Sequence, residues 1–88
     1  FYADWCISCK TLERTVFSDR SVINKLSNGL ALIADVTDHT ESNKAILARF
    51  YLAGPPAILF FKNGKEARSL RIIGEISAKN FLKRLNSI

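Results

Sequence analysis

The spacing of Cys6 and Cys9 constrains this chain more than any other feature, because Trp5-Cys6-Ile7-Ser8-Cys9-Lys10 holds both of its cysteines. If Cys6 opens a helix, Cys9 lies one turn later on the same face, close enough for a disulfide to form and break without moving the backbone. Such a pair can act as a two-electron switch. A helix start also leaves backbone N–H groups unpaired and carries the positive end of the dipole, so a thiolate on Cys6 is stabilised there. Surroundings of that kind take a cysteine from a pKa of about 8.5 to roughly 3.5–7.5, which makes Cys6 the expected attacking nucleophile. Cys9, a turn further in and less exposed, is then the expected resolving thiol, closing on the sulfur of Cys6 and releasing a mixed-disulfide partner.

Two other uses of the pair compete with this one. A C-x-x-C can be half of a zinc site, but a closed structural site takes four ligands, and the chain offers no third cysteine and one histidine, His39. No metal and no separate cofactor are therefore expected, the redox group being the Cys6–Cys9 disulfide itself. A purely structural bridge is also conceivable, but a loop this short restrains the unfolded chain little. Redox use is favoured over both.

The 88 residues make one small domain, expected to span 1–88, with room for a single core. A content of 48% hydrophobic and 24% charged residues fits a globular chain and excludes a disordered one. No stretch approaches the roughly 18 apolar residues of a membrane helix, since Gly54, Pro55 and Pro56 interrupt the most apolar region. Phe1-Tyr2-Ala3 looks like the tail of a strand, and with no initiator methionine the chain is expected to be a piece of a longer protein. Thirteen Lys and Arg against eight Asp and Glu give a formal charge of +5, but the basic residues are scattered. With no basic run and no nucleic-acid-binding signature, a solvated surface with some preference for acidic partners is expected, and no nucleic acid.

Along the chain, Cys6 to about Val16 reads as a helix with Cys9, Leu12 and Val16 facing inward. Ser18 or Asp19 can cap a short second helix whose Val22, Ile23 and Leu26 face the core before Asn28-Gly29 stops it. Leu30 to Val36, apolar and β-branched except at Asp35, predicts a strand buried on both faces and hence a central parallel sheet. Asp38 with Glu41 resembles a capping box, ahead of a stripe of Ile46, Leu47, Phe50 and Tyr51. Ala57 to Phe61 predicts a second buried strand. Asn63-Gly64 is a two-residue hairpin signal, so a strand from about Arg68 to Ile73 should pair antiparallel with the Ala57–Phe61 strand. Ser77 can cap a last helix with Phe81, Leu82, Leu85 and Ile88 on one face, Lys79, Lys83 and Arg84 staying in water. That order describes a sheet with helices on both faces, and it sets Cys6 at the carboxyl end of the first strand, where open α/β sheets carry their sites.

Trp5-Cys6-x-x-Cys9-Lys10 after an apolar strand, with Gly54-Pro55-Pro56-Ala57 opening a later one, resembles the thioredoxin fold family over the whole chain. The resemblance implies an α/β, thioredoxin-like three-layer sandwich with a central mixed sheet, helices on both faces and the N-terminal part of the fold missing. Phe1-Tyr2-Ala3-Asp4-Trp5-Cys6, the Phe17-Ser18-Asp19 turn, Asp35-Val36-Thr37 and Ile58-Leu59-Phe60-Phe61 look like the C-terminal periplasmic domain of a membrane-tethered thiol:disulfide interchange family. There the domain takes electrons from a membrane-embedded section and passes them to another domain of the same protein. This implies a periplasmic, tethered, monomeric protein-disulfide reductase, itself not inserted in the membrane, whose partners are disulfide-containing domains. By position the resemblance implies an exposed nucleophile in Cys6, a buried thiol in Cys9, a flanking Trp5, a cis-proline in Pro56 and a third site loop at Gly74. It also implies that the backbone of residue 55 pairs with an extended stretch of the partner. Proline at 55 departs from the usual pattern, since it has no N–H to give.

Glu13, seven residues after Cys6, falls on the cysteine side of a helix, where a carboxylate would raise a thiol pKa or relay its proton; an exposed surface glutamate is the plainer alternative. His39 shows no partner in the sequence. Trp5 beside a reactive cysteine is expected on the binding surface. Two competing functions remain: a soluble cytoplasmic thioredoxin, and a thioredoxin-fold binding module with vestigial or structural cysteines, against which the intact pair argues.

Overall fold

The computed structural model describes residues 1–88. Helix α1 spans Ile7–Thr15 and starts on Cys6, whose extended backbone and Sγ acceptor for the Cys9 N–H make it the N-cap. Asp19 caps α2, Arg20–Leu26, by accepting the Val22 N–H at 3.1 Å. Both starts follow the expected rule that a side-chain acceptor satisfies an orphan N–H of the first turn. Helix α3, Glu41–Arg49, is capped by Thr40 and not by Asp38. The Thr40 hydroxyl takes the Asn43 N–H, while the Asp38 carbonyl is engaged by the Asn43 side chain. Ser77 caps α4, Ala78–Asn86, as expected.

The strands are short. Tyr2 makes a parallel bridge to Asp35, β1 (Ala57–Ile58) runs antiparallel to β4 (Ile72–Ile73), and β2 (Phe61–Lys62) pairs with β3 (Lys65–Glu66). A hydrogen bond from Phe1 N to the Ala57 carbonyl, 2.9 Å long, links the leading segment to β1. The mixed order that results runs from residues 34–36 through 1–3 and β1 to β4. Asn63 and Gly64 both take positive φ, 55° and 79°, and close the β2–β3 hairpin, as the dipeptide predicts.

Several expectations are corrected. Leu30 to Val36 is not a strand buried on both faces: Leu30, Leu32 and Ile33 are 85%, 80% and 78% exposed, and the run touches the sheet only around Asp35. The run Ala57 to Phe61 is split between β1 and β2, and residues 68–70 form a 3-10 turn, which leaves Ile72 and Ile73 to pair with β1. Ile23 and Tyr51 are exposed; Tyr51 lies past the end of α3 with φ of 57°, off the helical stripe. Arg84 is not simply in water, since its guanidinium donates to the Leu70 and Arg71 carbonyls at 3.0 Å and holds the end of the 3-10 turn.

The core gathers Leu12 from α1 and Val16 from its C-cap, Val22 from α2, Phe60 from the link between β1 and β2, Ile72 from β4 and Phe81 from α4. Phe81 sits at its centre, with the Phe17 ring edge-on at 5.5 Å and Phe60 tilted at 5.8 Å. A second, smaller cluster of Ala3, Cys6 and Cys9, with Tyr2 against it, lies where the leading segment enters α1. The larger core fixes α1 against the sheet, and this fixes the cysteines at the sheet's edge.

Candidate active site

Cys6 and Cys9 are joined by a disulfide with Cα atoms 5.2 Å apart, inside the ordinary range for such bonds. The Cys6 sulfur accepts the Cys9 N–H at 3.1 Å, so the first turn of α1 already offers it a hydrogen-bond donor. No acidic residue of α1 lies in that first turn. Both features favour negative charge on Cys6 once the bond is reduced. The expected exposure of Cys6 is not seen with the disulfide closed: Cys6 is 6% and Cys9 4% exposed, a small difference in the expected order. Cys6 packs with Cys9 and Ala3 in the small cluster.

Three loops surround the pair. The first carries Trp5, which is exposed, donates its indole N–H to the Thr37 carbonyl at 2.8 Å and stacks on His39 at 5.9 Å between ring centroids. The second is Gly54-Pro55-Pro56, in which the Pro55–Pro56 bond is cis. The third turns at Gly74, where φ is 94°, and its N–H donates to the Pro56 carbonyl at 3.1 Å, tying the second and third loops together. Between Trp5 and Pro55 lies a cleft of about 170 Å³, floored by Val36 and Leu47 and edged by His39 and Lys44. Trp5 and Pro55 thus line one cleft, and the Gly74 loop, tied to Pro56, reaches the start of α1 through the residue that follows Gly74.

A polar network braces the leading segment. The Asp35 carboxylate accepts from the Thr37 hydroxyl at 2.5 Å and from its backbone N–H at 2.9 Å, and Thr37 Oγ1 in turn accepts the Asp4 N–H at 2.9 Å. The Thr37 hydroxyl, and then its N–H, hold Asp35 below the usual carboxylate range. Lys10 donates to the Tyr2 hydroxyl, which raises the Lys10 ammonium, and lies 3.8 Å from Asp4. Glu13 is exposed, and its charge adds to what raises Lys10.

Sequence reasoning missed three residues here. In the sequence His39 shows no partner, Thr37 is one letter in a short match, and Glu75 carries no motif of its own. Glu75 accepts a hydrogen bond from the Ser8 hydroxyl at 2.8 Å, across 67 residues of sequence. Adjacency to Gly74 was the one signal that could have flagged it. No cluster of His, Cys, Asp and Glu is arranged to hold a metal ion.

A disulfide capped into a helix start at the edge of a mixed sheet, with a cis-proline loop beside it, defines the thioredoxin-like class. The thioredoxin-like domain model matches residues 1–88, and the chain belongs to that family. Within it, the chain is similar to thiol:disulfide interchange protein DsbD 1 of Pseudomonas aeruginosa, 46% identical over 86 residues covering 97% of this chain and 15% of that protein. It is 44% identical over 85 residues to DsbD of Ralstonia nicotianae, covering 97% of this chain and 14% of that one. The oxidised DsbD C-terminal domain of Neisseria meningitidis superposes with a TM-score of 0.88 at 28% identity, over 99% of this chain and 74% of that structure. The reduced form gives 0.87 at 27% identity, over 99% and 75%. The chain thus spans about 15% of the length of the curated relatives it matches.

Proposed function

We propose that this chain is a thiol–disulfide exchange domain that reduces disulfides in a partner protein through Cys6 and Cys9. The observation that carries this is the Cys6–Cys9 disulfide capping α1, with the Cys9 N–H already directed at the Cys6 sulfur. In the reduced chain the Cys6 thiolate attacks one sulfur of the partner's disulfide, forming a mixed disulfide while the other partner sulfur leaves and takes a proton. Cys9 then loses its proton and attacks the Cys6 sulfur; the Cys6–Cys9 bond forms and the second partner sulfur leaves as a thiol. Two electrons and two protons pass to the partner, and a second dithiol must return them for another turnover.

The likeness to DsbD supports a narrower reading, in which the chain works as one thioredoxin-like domain of a longer polypeptide on the periplasmic side of a membrane. Its partners are then other domains of that polypeptide. No helix here is long and apolar enough to cross a membrane, so any tether lies in other segments. Trp5, Pro55, Pro56 and the Gly74 loop supply the docking surface, and the exposed Glu13 adds negative charge along α1 that works against a thiolate.

Trapping tests the assignment of roles. Cys9→Ala in the full polypeptide should accumulate a mixed disulfide through Cys6, which cannot be resolved, and peptide mapping should place the partner cysteine in another domain of the same chain. Accumulation with Cys6→Ala instead would reverse the two roles, and no trapped species with either variant would remove the exchange function.

A further inference from the structure

We propose that Glu75 is a positioning residue for the exchange reaction: held against the turn between the two cysteines through Ser8, its carboxylate makes a thiolate on Cys6 less favourable. The inference rests on Cys6 being the attacking thiol. Ser8 is the second residue of α1 and lies inside the redox motif, and its hydroxyl donates to Glu75 Oε2 at 2.8 Å. Glu75 reaches it from the loop that Gly74 turns and that the Gly74–Pro56 hydrogen bond pins. The backbone beside Glu75 is pinned, and its exposed carboxylate is held toward the α1 start by the Ser8 hydroxyl.

Two negative groups then share one helix start. The positive end of the α1 dipole and its unpaired N–H groups favour a thiolate on Cys6, and the Glu75 carboxylate draws on the same field while repelling that charge. α1 has no acid of its own in the first turn, so Glu75 supplies from the far end of the chain what the helix lacks. The other charged groups at this end are occupied or further along. Asp4 is 3.8 Å from Lys10, Asp35 is bound by Thr37, His39 is stacked on Trp5 and Glu13 lies near Lys10. Glu75, unlike these, is hydrogen-bonded to a side chain between the cysteines. A reduced domain with a suppressed thiolate reacts slowly with stray disulfides, and a docked partner that neutralises or displaces Glu75 releases the nucleophile.

The test is the thiolate absorbance titration of the reduced chain, in parent, Glu75→Gln and Ser8→Ala, at low and high salt. Glu75→Gln keeps an oxygen for Ser8 and removes the charge, so its midpoint should fall by about half a unit or more at low salt. In about 1 M salt, where the screening length drops to roughly 3 Å, that difference should shrink by at least half. Ser8→Ala frees the carboxylate to swing into water and should move the midpoint the same way by less. An unchanged midpoint in Glu75→Gln at low salt overturns the proposal, and so does a shift that salt leaves intact, which would mean a distorted loop. Alkylation mapping of the parent separates the two levels: label on Cys9 before Cys6 sinks the exchange assignment itself, whereas label on Cys6 with an unmoved midpoint sinks only the role of Glu75.

Discussion

Glu66 and Arg71 are held far more tightly than the molecule's other ion pairs. Arg71 Nε and Nη2 meet the two Glu66 oxygens at 2.5 and 2.9 Å, and a third donor reaches the Phe50 carbonyl at 2.7 Å. Lys10–Asp4 and Lys44–Glu41 are single contacts in solvent and contribute little. The Arg71 hydrogen bonds hold the Glu66 carboxyl below its ordinary value of 4.5. A carboxyl depressed by folding adds stability that is fully present above the unfolded pKa and is lost as the pH falls through the folded one. The parent should therefore lose stability progressively below about pH 4.5, and Glu66→Gln should show a flatter acid limb. Urea midpoints of both proteins from neutral pH to about pH 3 check this; parallel acid limbs would mean that the pair does not couple to folding. None of it was legible in sequence, because residues 66 and 71 sit on opposite sides of a 3-10 turn where a continuous strand was expected.

At the scale of elements, the proposed docking surface lies in the loops around the cysteines. In the proposed docking, an extended partner strand pairs with residue 55; Pro55 keeps its carbonyl but offers no N–H, so one of the two backbone hydrogen bonds would be missing. A net hydrogen bond is worth about 0.5–1.5 kcal/mol, or roughly two- to tenfold in docking. Pro55→Thr should thus reduce an unrelated disulfide substrate such as insulin several-fold faster, while its equilibrium with glutathione stays near that of the parent. Insulin turbidity rates for the two proteins decide it, and equal rates would leave Pro55 as a residue that only shapes the loop. The cysteine turn, the α2 and α4 caps and the Asn63-Gly64 hairpin were legible because each is a local hydrogen-bond or φ requirement that a few letters satisfy. The α3 start misled because Asp38 and Thr40 are both good caps, and which of them faces the Asn43 N–H is settled only by the path of the incoming chain.

For the molecule as a whole, one ring holds the layers together. Phe81 is 1% exposed and touches the aromatic rings of Phe17 and Phe60. Truncating a buried Phe to Ala typically costs about 3–5 kcal/mol, and small domains have roughly 5–15 kcal/mol in all. Phe81→Ala should accordingly lower the urea midpoint sharply and loosen α4 first, read as early loss of amide protection there. A midpoint near that of the parent would show that the core is organised elsewhere. Ile88, expected on the same stripe, lies past the end of α4 with its side chain exposed and should tolerate Ile88→Ala with little change.

The sequence by itself determined the redox pair, the helix that Cys6 begins, the hairpin, the inward face of α4 and the family, since these depend on spacing and on backbone chemistry within a few residues. Tertiary structure alone decided which apolar residues are covered and which distant groups meet. Leu30, Leu32 and Ile33 have the composition of a buried strand, but burial is a property of neighbours, and the run meets the sheet only at the Tyr2–Asp35 bridge, leaving all three side chains in solvent. Ser8 and Glu75 meet for the converse reason: the Gly74 turn and the start of α1 are brought to the same end of the sheet by a core neither residue belongs to.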